Sequence, residues 1–329
     1  MKNKIIALSV NEAVDLATKN SLKFVPSSLI FPTESAISKN KLNDIERFYL
    51  SGKAILYTPI VVIRDINKPD KFYAVDGNHR LIVVKRIQFK HILVLELPVH
   101  GFEISSLGRS LYVQNQNLVD FFIETALRKD TIIQISKDEK INRGLTTFQW
   151  NGSRYQFAAN LGKVAQHEIM SDFIRTLEKQ GVDTEKMAVS RADIFKLFKQ
   201  NIPSNLVVSQ AGFSKNELLS LAREGTIFPP KSILVNFTGN VKRTTIPIRI
   251  SRASMDCDLE GLNRKLQQEL DTLNFLSLPW LINVGGRHTT PAQTVPILKD
   301  SPEDFAFELI HHEEIGQIDL SEPQVITKY

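Results

Sequence analysis

Residues 58–97 constrain the fold more than any other stretch, because strand and helix signals alternate in them over very short distances. They contain an apolar segment typical of a buried strand, "TPIVVIRD", then a turn at "KPD" and a second strand, "KFYAV". The short turn indicates that the two strands form a hairpin. A glycine follows, a helical segment "HRLIVVKRIQF" begins at once, and another strand, "HILVLEL", comes next. This order predicts a small unit in which one sheet packs against a helix.

The rest of the chain also mixes the two kinds of element. Apolar residues recur at helical spacing in four further segments, 41–52 (with Gly52 as a candidate C-cap), 118–129, 162–181 and 259–276. Two Ser/acid pairs have the spacing of helix-capping signals, Ser190 with Asp193 and Ser214 with Glu217. Short strands are predicted at 146–150, 153–158, 226–237 and 243–250. The sequence therefore predicts an α+β fold.

Changes of pattern divide the chain, and its 329 residues suggest about two domains. We expect an N-terminal extension (1–21), a small α/β domain (22–105), a second mixed helical and strand domain (106–250) that closes a substrate cleft, and a C-terminal extension (251–329).

Composition excludes several classes of protein. The net charge of +5 is too small to indicate a protein that coats DNA. The only cysteine is Cys257, so a disulfide framework and a Cys-rich zinc site are both excluded. The apolar stretches are too short to span a bilayer, and the start of the chain lacks the long apolar core of a signal peptide. We expect a cytoplasmic protein without a membrane partner.

The segment "FYAVDGNHRLIVVKR" concentrates the chemistry. A strand delivers Asp76 to its end, and Gly77 can adopt a positive φ. His79 and Arg80 follow at a helix start, where backbone amides and the helix dipole favour an anion. Arg80 suits phosphate, and Asp76 suits a Mg²⁺ that bridges phosphates. The segment predicts a nucleotide polyphosphate site, although Asp-Gly turns and solvated His-Arg pairs are also common without function.

The motif "VDGNHRL", between a strand and a helix and followed by "HILVLEL", resembles the Asp-Gly-X-His-Arg signature of the ParB/sulfiredoxin superfamily. That superfamily contains DNA-partition CTPases, sulfiredoxins and free-serine kinases. Sulfiredoxins carry a catalytic cysteine just before the His-Arg pair, where this chain has Asn78. ParB proteins have a Gly-Glu-Arg-Arg box and a helix-turn-helix, and neither is evident here.

Longer segments are similar to the free-serine kinases, especially the siderophore-pathway type. "LKFVPSSLIFPTES" resembles the segment that leads to their catalytic glutamate, which falls on Glu34. "YQFAANLGKVAQHE" and "EGTIFPPKSILVNFTGNVKRTTIPI" resemble later parts of the family, so that the resemblance covers residues 22–250. Without the resemblance, Glu34 reads as part of a helix start capped by Thr33 or Ser35.

The resemblance implies a kinase that converts free L-serine to O-phospho-L-serine with ATP or ADP and Mg²⁺. Glu34 would be the general base, and Asp76 the catalytic metal ligand. The phosphates would be bound by six residues, Gly77, Asn78, His79, Arg80, Lys231 and Ser232. Ile233 and Leu234 depart from the Thr-Arg pair expected after the Pro-rich segment, which puts one substrate or phosphate contact in doubt.

Two alternatives stay open, a ParB-like nucleotide-responsive regulator that binds DNA, or a kinase of another small hydroxyl compound or an inactive relative of one. Three further motifs favour ordinary structure over a site. They are the His311-His312 pair with its two following glutamates, the loop "GGRHTTP", and the alternating strand "NVKRTTIPIRISR". For that strand the Lys/Arg residues favour a solvated face over a phosphate-facing one.

Overall fold

The structure is a computed structural model of the whole chain. It describes the following residues: 5–7, 12–36, 39–50, 58–106, 108–136, 139, 141–142, 144–182, 198, 203–230, 232–244, 246, 257–278, 283–284, 287–288, 293–298 and 306–308. The chain divides into two compact units. Unit 1 comprises residues 1–31, 39–102 and 237–329, and unit 2 comprises residues 32–38 and 103–236.

The first part of unit 1 contains the strands and helices predicted around the Asp-Gly turn. In chain order they are β1 (Ile5–Ala7), α1 (Glu12–Ser21), β2 (Leu22–Pro26), a 3₁₀ turn (Ser27–Leu29), β3 (Ile30–Pro32), α2 (Lys39–Leu50), β4 (Ile60–Arg64), β5 (Phe72–Asp76), α3 (Asn78–Arg86) and β6 (His91–Leu97). The predicted hairpin is confirmed, because β4 and β5 pair antiparallel. The candidate C-cap Gly52 lies outside the described residues.

In the described part of unit 1, five strands form a sheet in the order β2-β6-β4-β5-β3. The central strands β4, β5 and β6 are almost wholly buried, as their continuous apolar sequences predict. The pairing of β4 with β5 shifts register between Val61 and Val62, next to the end of β5. Such irregularities redirect the side chains at a strand end.

Strands β7 (Phe102–Ser106) and β13 (Ile233–Phe237) pair in a two-stranded sheet. The C-terminal part of unit 1 begins at Phe237, the last residue of β13. It contains β14 (Arg243–Thr244), α7 (Leu259–Asp271), β15 (Leu273–Leu278), β16 (Asn283–Val284), β17 (Arg287–His288), β18 (Gln293–Leu298) and β19 (Ala306–Glu308). The side chain of Asn263 on α7 accepts a hydrogen bond from the Phe24 amide at 2.8 Å and donates to the Phe24 carbonyl at 3.1 Å. These bonds attach α7 to β2.

One prediction for this part differs from the structure. The helix predicted over 259–276 ends at Asp271, and the apolar residues after it form β15, which pairs antiparallel with β18. Of the strand predicted over 243–250, residues 243–244 form β14, which pairs with β18 in parallel. Residues 245 and 247–250 lie outside the described residues.

Unit 2 is built on an antiparallel sheet in the order β8-β12-β10-β11-β9, again among the described residues. Its strands are β8 (Gly108–Tyr112), β9 (Ile132–Ile135), β10 (Thr147–Trp150), β11 (Ser153–Phe157) and β12 (Asn205–Ser209), and its helices are α4 (Gln116–Arg128), α5 (Lys163–Lys179) and α6 (Lys215–Arg223). Apolar side chains of the sheet, α4 and α5 form one core. The predicted capping box at Ser214 and Glu217 opens α6, with both reciprocal hydrogen bonds present. The pair Ser190 and Asp193 lies outside the described residues.

Candidate phosphate-binding turn and acidic side chain

The β5–α3 turn has the local geometry that the sequence predicts. Asp76 is the last residue of β5, Gly77 has a φ of +84°, and α3 begins at Asn78. The Leu81 amide donates to the Gly77 carbonyl at 3.0 Å. The amides before Leu81 therefore point out of the N-terminal end of α3, where the helix dipole attracts anions.

Asp76 lies between two cations and a backbone amide. Its Oδ1 accepts a hydrogen bond from the Gly77 amide at 2.8 Å, and its Oδ2 accepts one from Nη1 of Arg243 at 2.5 Å. Burial raises the pKa of Asp76, but the charges of Arg243 and Arg80 outweigh it, with help from the Gly77 hydrogen bond, and the pKa falls below its ordinary value. Asp76 is therefore ionised at neutral pH.

Arg80 folds back over the turn. Its Nη2 donates to the Pro59 carbonyl at 3.2 Å. A Cβ atom built on Gly77 would lie 2.6 Å from the same Nη2, so the guanidinium occupies the space that a side chain at position 77 would need. Asn78 is buried at the helix start and His79 is partly buried. Asp76, Gly77, Asn78, His79 and Arg80 thus come together in one turn of unit 1.

The described residues contain no cluster of three or more side chains suited to hold a metal ion. Asp76 is a single ionised carboxylate, already bonded to Arg243 and to the Gly77 amide. Mg²⁺ is usually held by one or two carboxylates together with substrate phosphates. Asp76 fits a Mg²⁺ ion that a nucleotide brings with it, and it does not fit a site that holds the ion alone.

Glu34 lies in unit 2, in a short β-bridge with Phe228. The Phe228 amide donates to the Thr33 carbonyl at 2.8 Å, and the Ser35 amide donates to the Phe228 carbonyl at 2.9 Å. The Glu34 carboxylate accepts a hydrogen bond at Oε1 from the Ile233 amide at 2.9 Å. This extended, anchored position differs from the helix start that the sequence also allows.

The Pro-rich segment is only partly described. Lys231 lies outside the described residues. Ser232 is buried, and its hydroxyl donates to the Pro229 carbonyl at 2.8 Å, which stabilises the turn itself. Ile233 contributes its backbone amide to Glu34, and this contact needs no particular side chain at position 233. The phosphate-binding roles of Lys231 and Ser232 stay predictions.

Two arginines are not singled out by the sequence. Arg243 bonds Asp76, and its alternating segment favours a solvated face over a phosphate-facing strand. Arg109 on β8 is buried in unit 2 and donates to the Pro230 carbonyl at 3.3 Å. Burial lowers the pKa of Arg109, opposed by the charges of Glu178 and Glu34. No spacing pattern marks either residue.

The two other motifs lie mostly outside the described residues. Arg287 and His288 of "GGRHTTP" form β17, which pairs with β16. His311 and His312 lie outside the described residues. No helix in the described ranges is long and apolar enough to cross a membrane.

Comparisons with known proteins agree on the fold. No family model and no curated protein sequence matches the chain. Among solved structures, SbnI with a C-terminal truncation from Staphylococcus aureus is similar with a TM-score of 0.59 and 16% identity, over 77% of this chain and 97% of that one. A mutant free serine kinase in complex with ADP is similar with a TM-score of 0.57 and 15% identity, over 71% of this chain and 94% of that one. A conserved hypothetical protein from Pyrococcus furiosus is similar with a TM-score of 0.53 and 16% identity, over 70% of this chain and 96% of that one.

These likenesses confirm the predicted α+β fold and its similarity to the free serine kinases. Several of the matched kinase structures are complexes with AMP or ADP. The chain therefore shares its fold with free serine kinases whose structures contain AMP or ADP.

Proposed function

We propose that this protein is a small-molecule kinase that phosphorylates free L-serine with ATP or ADP as donor. The observation that carries the proposal is the Asp76–Arg80 turn, where an ionised carboxylate, two arginines and a helix N-terminus meet. The fold also supports the proposal, because it is similar to that of free serine kinase structures with bound ADP or AMP.

In this proposal unit 1 binds the nucleotide phosphates. The amide of Asn78 and the side chains of His79 and Arg80 hold phosphate oxygens and stabilise the negative charge that the transferring group carries. The Gly77 amide keeps its bond to Asp76 and so fixes the shape of the turn. Asp76 would hold a Mg²⁺ ion bound to the nucleotide phosphates, and that ion would supply further charge neutralisation. Because the pKa of Asp76 is lowered, its carboxylate is in the form that a cation requires.

Glu34 of unit 2 is the proposed general base. Its carboxylate takes the proton of the serine hydroxyl while the serine Oγ forms a bond to the terminal phosphorus of the donor. The bond between that phosphorus and its bridging oxygen breaks, and ADP or AMP leaves. The hydrogen bond from the Ile233 amide orients the carboxylate for this step.

The proposal is tested by incubating the protein with Mg²⁺, ATP or ADP, and a panel of acceptors, followed by detection of the product by ³¹P NMR. The panel contains L-serine, D-serine, L-threonine, L-homoserine and ethanolamine. Formation of O-phospho-L-serine, with L-serine preferred, is the expected result. Preference for another acceptor identifies a different small-molecule kinase.

A second arm of the experiment tests the DNA-binding alternative. The protein is passed over random duplex DNA at increasing salt. No transfer to any acceptor, together with retention that falls steeply with salt, overturns the kinase and supports a nucleotide-responsive DNA-binding protein.

A further inference from the structure

Arg243 is fixed on two sides at the β5–α3 turn. Its Nη1 donates to Oδ2 of Asp76 at 2.5 Å, across 167 residues of chain. Its guanidinium lies over the ring of Phe237, 5.0 Å from the ring centroid. The side chain of Arg243 is 23% exposed and that of Asp76 is 34% exposed, so the pair lies at the edge of the unit 1 interior. An arginine held in this way is pre-oriented at little further entropic cost.

Arg80 lies where an anion would stabilise the turn. It is the third residue of α3, close to the positive end of the helix dipole, where cations are unfavourable. The first turn of α3 contains no acidic residue. Nε of Arg80 is also buried without a hydrogen-bond acceptor among the described residues. These features of Arg80 and of the helix start favour an anion beside the pair of Asp76 and Arg243.

We propose that Arg243 is a second phosphate-binding arginine of the nucleotide site, which binds the polyphosphate directly while Asp76 and Phe237 hold it in place. The guanidinium presents its N–H donors in a flat fork, a geometry that suits phosphate oxygens. The inference rests on the proposed function, since that function brings the nucleotide phosphates to the Asp76–Arg80 turn. The competing explanation is that the ion pair only ties β14 to β5.

The test is calorimetric titration with ADP, and separately with inorganic pyrophosphate, in the presence of Mg²⁺. Arg243→Gln is compared with Arg243→Lys, which keeps a positive charge beside Asp76 but loses the fork. Arg264→Gln is the matched control, because Arg264 forms an exposed ion pair with Glu260 in the same unit. The melting temperature without ligand is measured for every variant.

Arg243→Gln is expected to weaken both ADP and pyrophosphate by about tenfold to a hundredfold, the effect of losing charge-assisted hydrogen bonds. Arg243→Lys is expected to restore part of the affinity, and Arg264→Gln to leave it unchanged. If both Arg243 variants lower the melting temperature but bind ADP like the wild type, the ion pair is structural only and the inference is wrong. If the wild type itself binds neither ADP nor pyrophosphate, the proposed function fails instead.

Discussion

Gly77 carries two constraints at once, a left-handed backbone and a guanidinium packed where a side chain would lie. Its φ of +84° is costly for any other residue. A methyl group at this position would also lie 2.6 Å from Nη2 of Arg80. The conformation of the turn and the position of Arg80 are therefore determined together.

Replacing Gly77 with alanine is expected to displace Arg80 and to weaken ADP binding by about tenfold or more. The free energy of unfolding is expected to fall by about 1–3 kcal/mol because of backbone strain. Calorimetric titration and urea denaturation measure the two effects. Gly162→Ala is the control, since Gly162 has a φ of −60° and open space around it, and should leave ADP binding unchanged. If Gly77→Ala binds ADP with wild-type affinity, Arg80 is not part of the phosphate-binding site.

For individual residues, the sequence predicts the β5–α3 turn well but does not predict that Arg243 bonds Asp76 there. The order of strand, Asp-Gly and helix is local, so Asp76, Gly77 and the start of α3 can be read from adjacent residues. Arg243 lies 167 residues away from Asp76, and the segment around it is equally typical of a solvated strand. Its role depends on long-range pairing, which one sequence does not encode in any spacing.

Helix α5 carries a buried histidine in unit 2. His167 is fully buried, its Nε2 lies 2.8 Å from the Ala211 carbonyl, and its ring packs against Phe213 with ring centroids 5.0 Å apart. Because a carbonyl only accepts, Nε2 carries the proton of the neutral ring. Burial, together with the charges of Arg109 and Lys163, lowers the pKa of His167 to about 4. The hydrogen bond to Ala211 opposes this shift in the pKa.

This packing makes stability depend on pH. Below the ordinary pKa of about 6.5 the unfolded chain binds a proton at His167 that the folded protein does not, so the free energy of unfolding falls as the pH falls. A loss of about 2 kcal/mol between pH 7.5 and pH 5 is expected from this residue. Urea denaturation at several pH values should show that His167→Gln removes this part of the dependence, whereas the exposed-site control His100→Gln keeps it. Identical pH profiles for wild type and His167→Gln would contradict the account.

Helix and strand identities follow from the sequence where the pattern is strong. The buried strands β4 to β6 and the helices α4 and α5 lie close to their predicted positions. The end of α7 shows the limit of such patterns. Apolar residues continue at helical spacing past Asp271, but the Phe275 amide donates to Asp15 at 2.7 Å, and β15 pairs with β18. These long-range contacts override the local preference.

On the scale of the whole molecule, unit 1 is assembled from three separate stretches of chain. Residues 237–329 belong to it through contacts such as Asn263 with Phe24 and Arg243 with Asp76. The sequence marks boundaries only where the pattern changes along the chain, and a discontinuous unit leaves no such mark. The fold class and the geometry of the β5–α3 turn are therefore predictable from sequence, and the membership of the C-terminal stretch in unit 1 is not.

The proposed roles are divided between the units, with phosphate binding in unit 1 and the base, Glu34, in unit 2. The two roles therefore have separate readouts. If the proposed function holds, ADP affinity reports the Asp76–Arg80 turn, and the rate of phosphoserine formation also depends on Glu34.

The most direct test is the rate of O-phospho-L-serine formation by Glu34→Gln beside the wild type, at saturating nucleotide and serine. The exposed Glu224→Gln of the same unit is the matched control. Loss of the base is expected to reduce the rate by about 10²- to 10⁴-fold, while ADP affinity stays within about twofold of the wild-type value. A Glu34→Gln variant that forms phosphoserine at the wild-type rate would contradict the account.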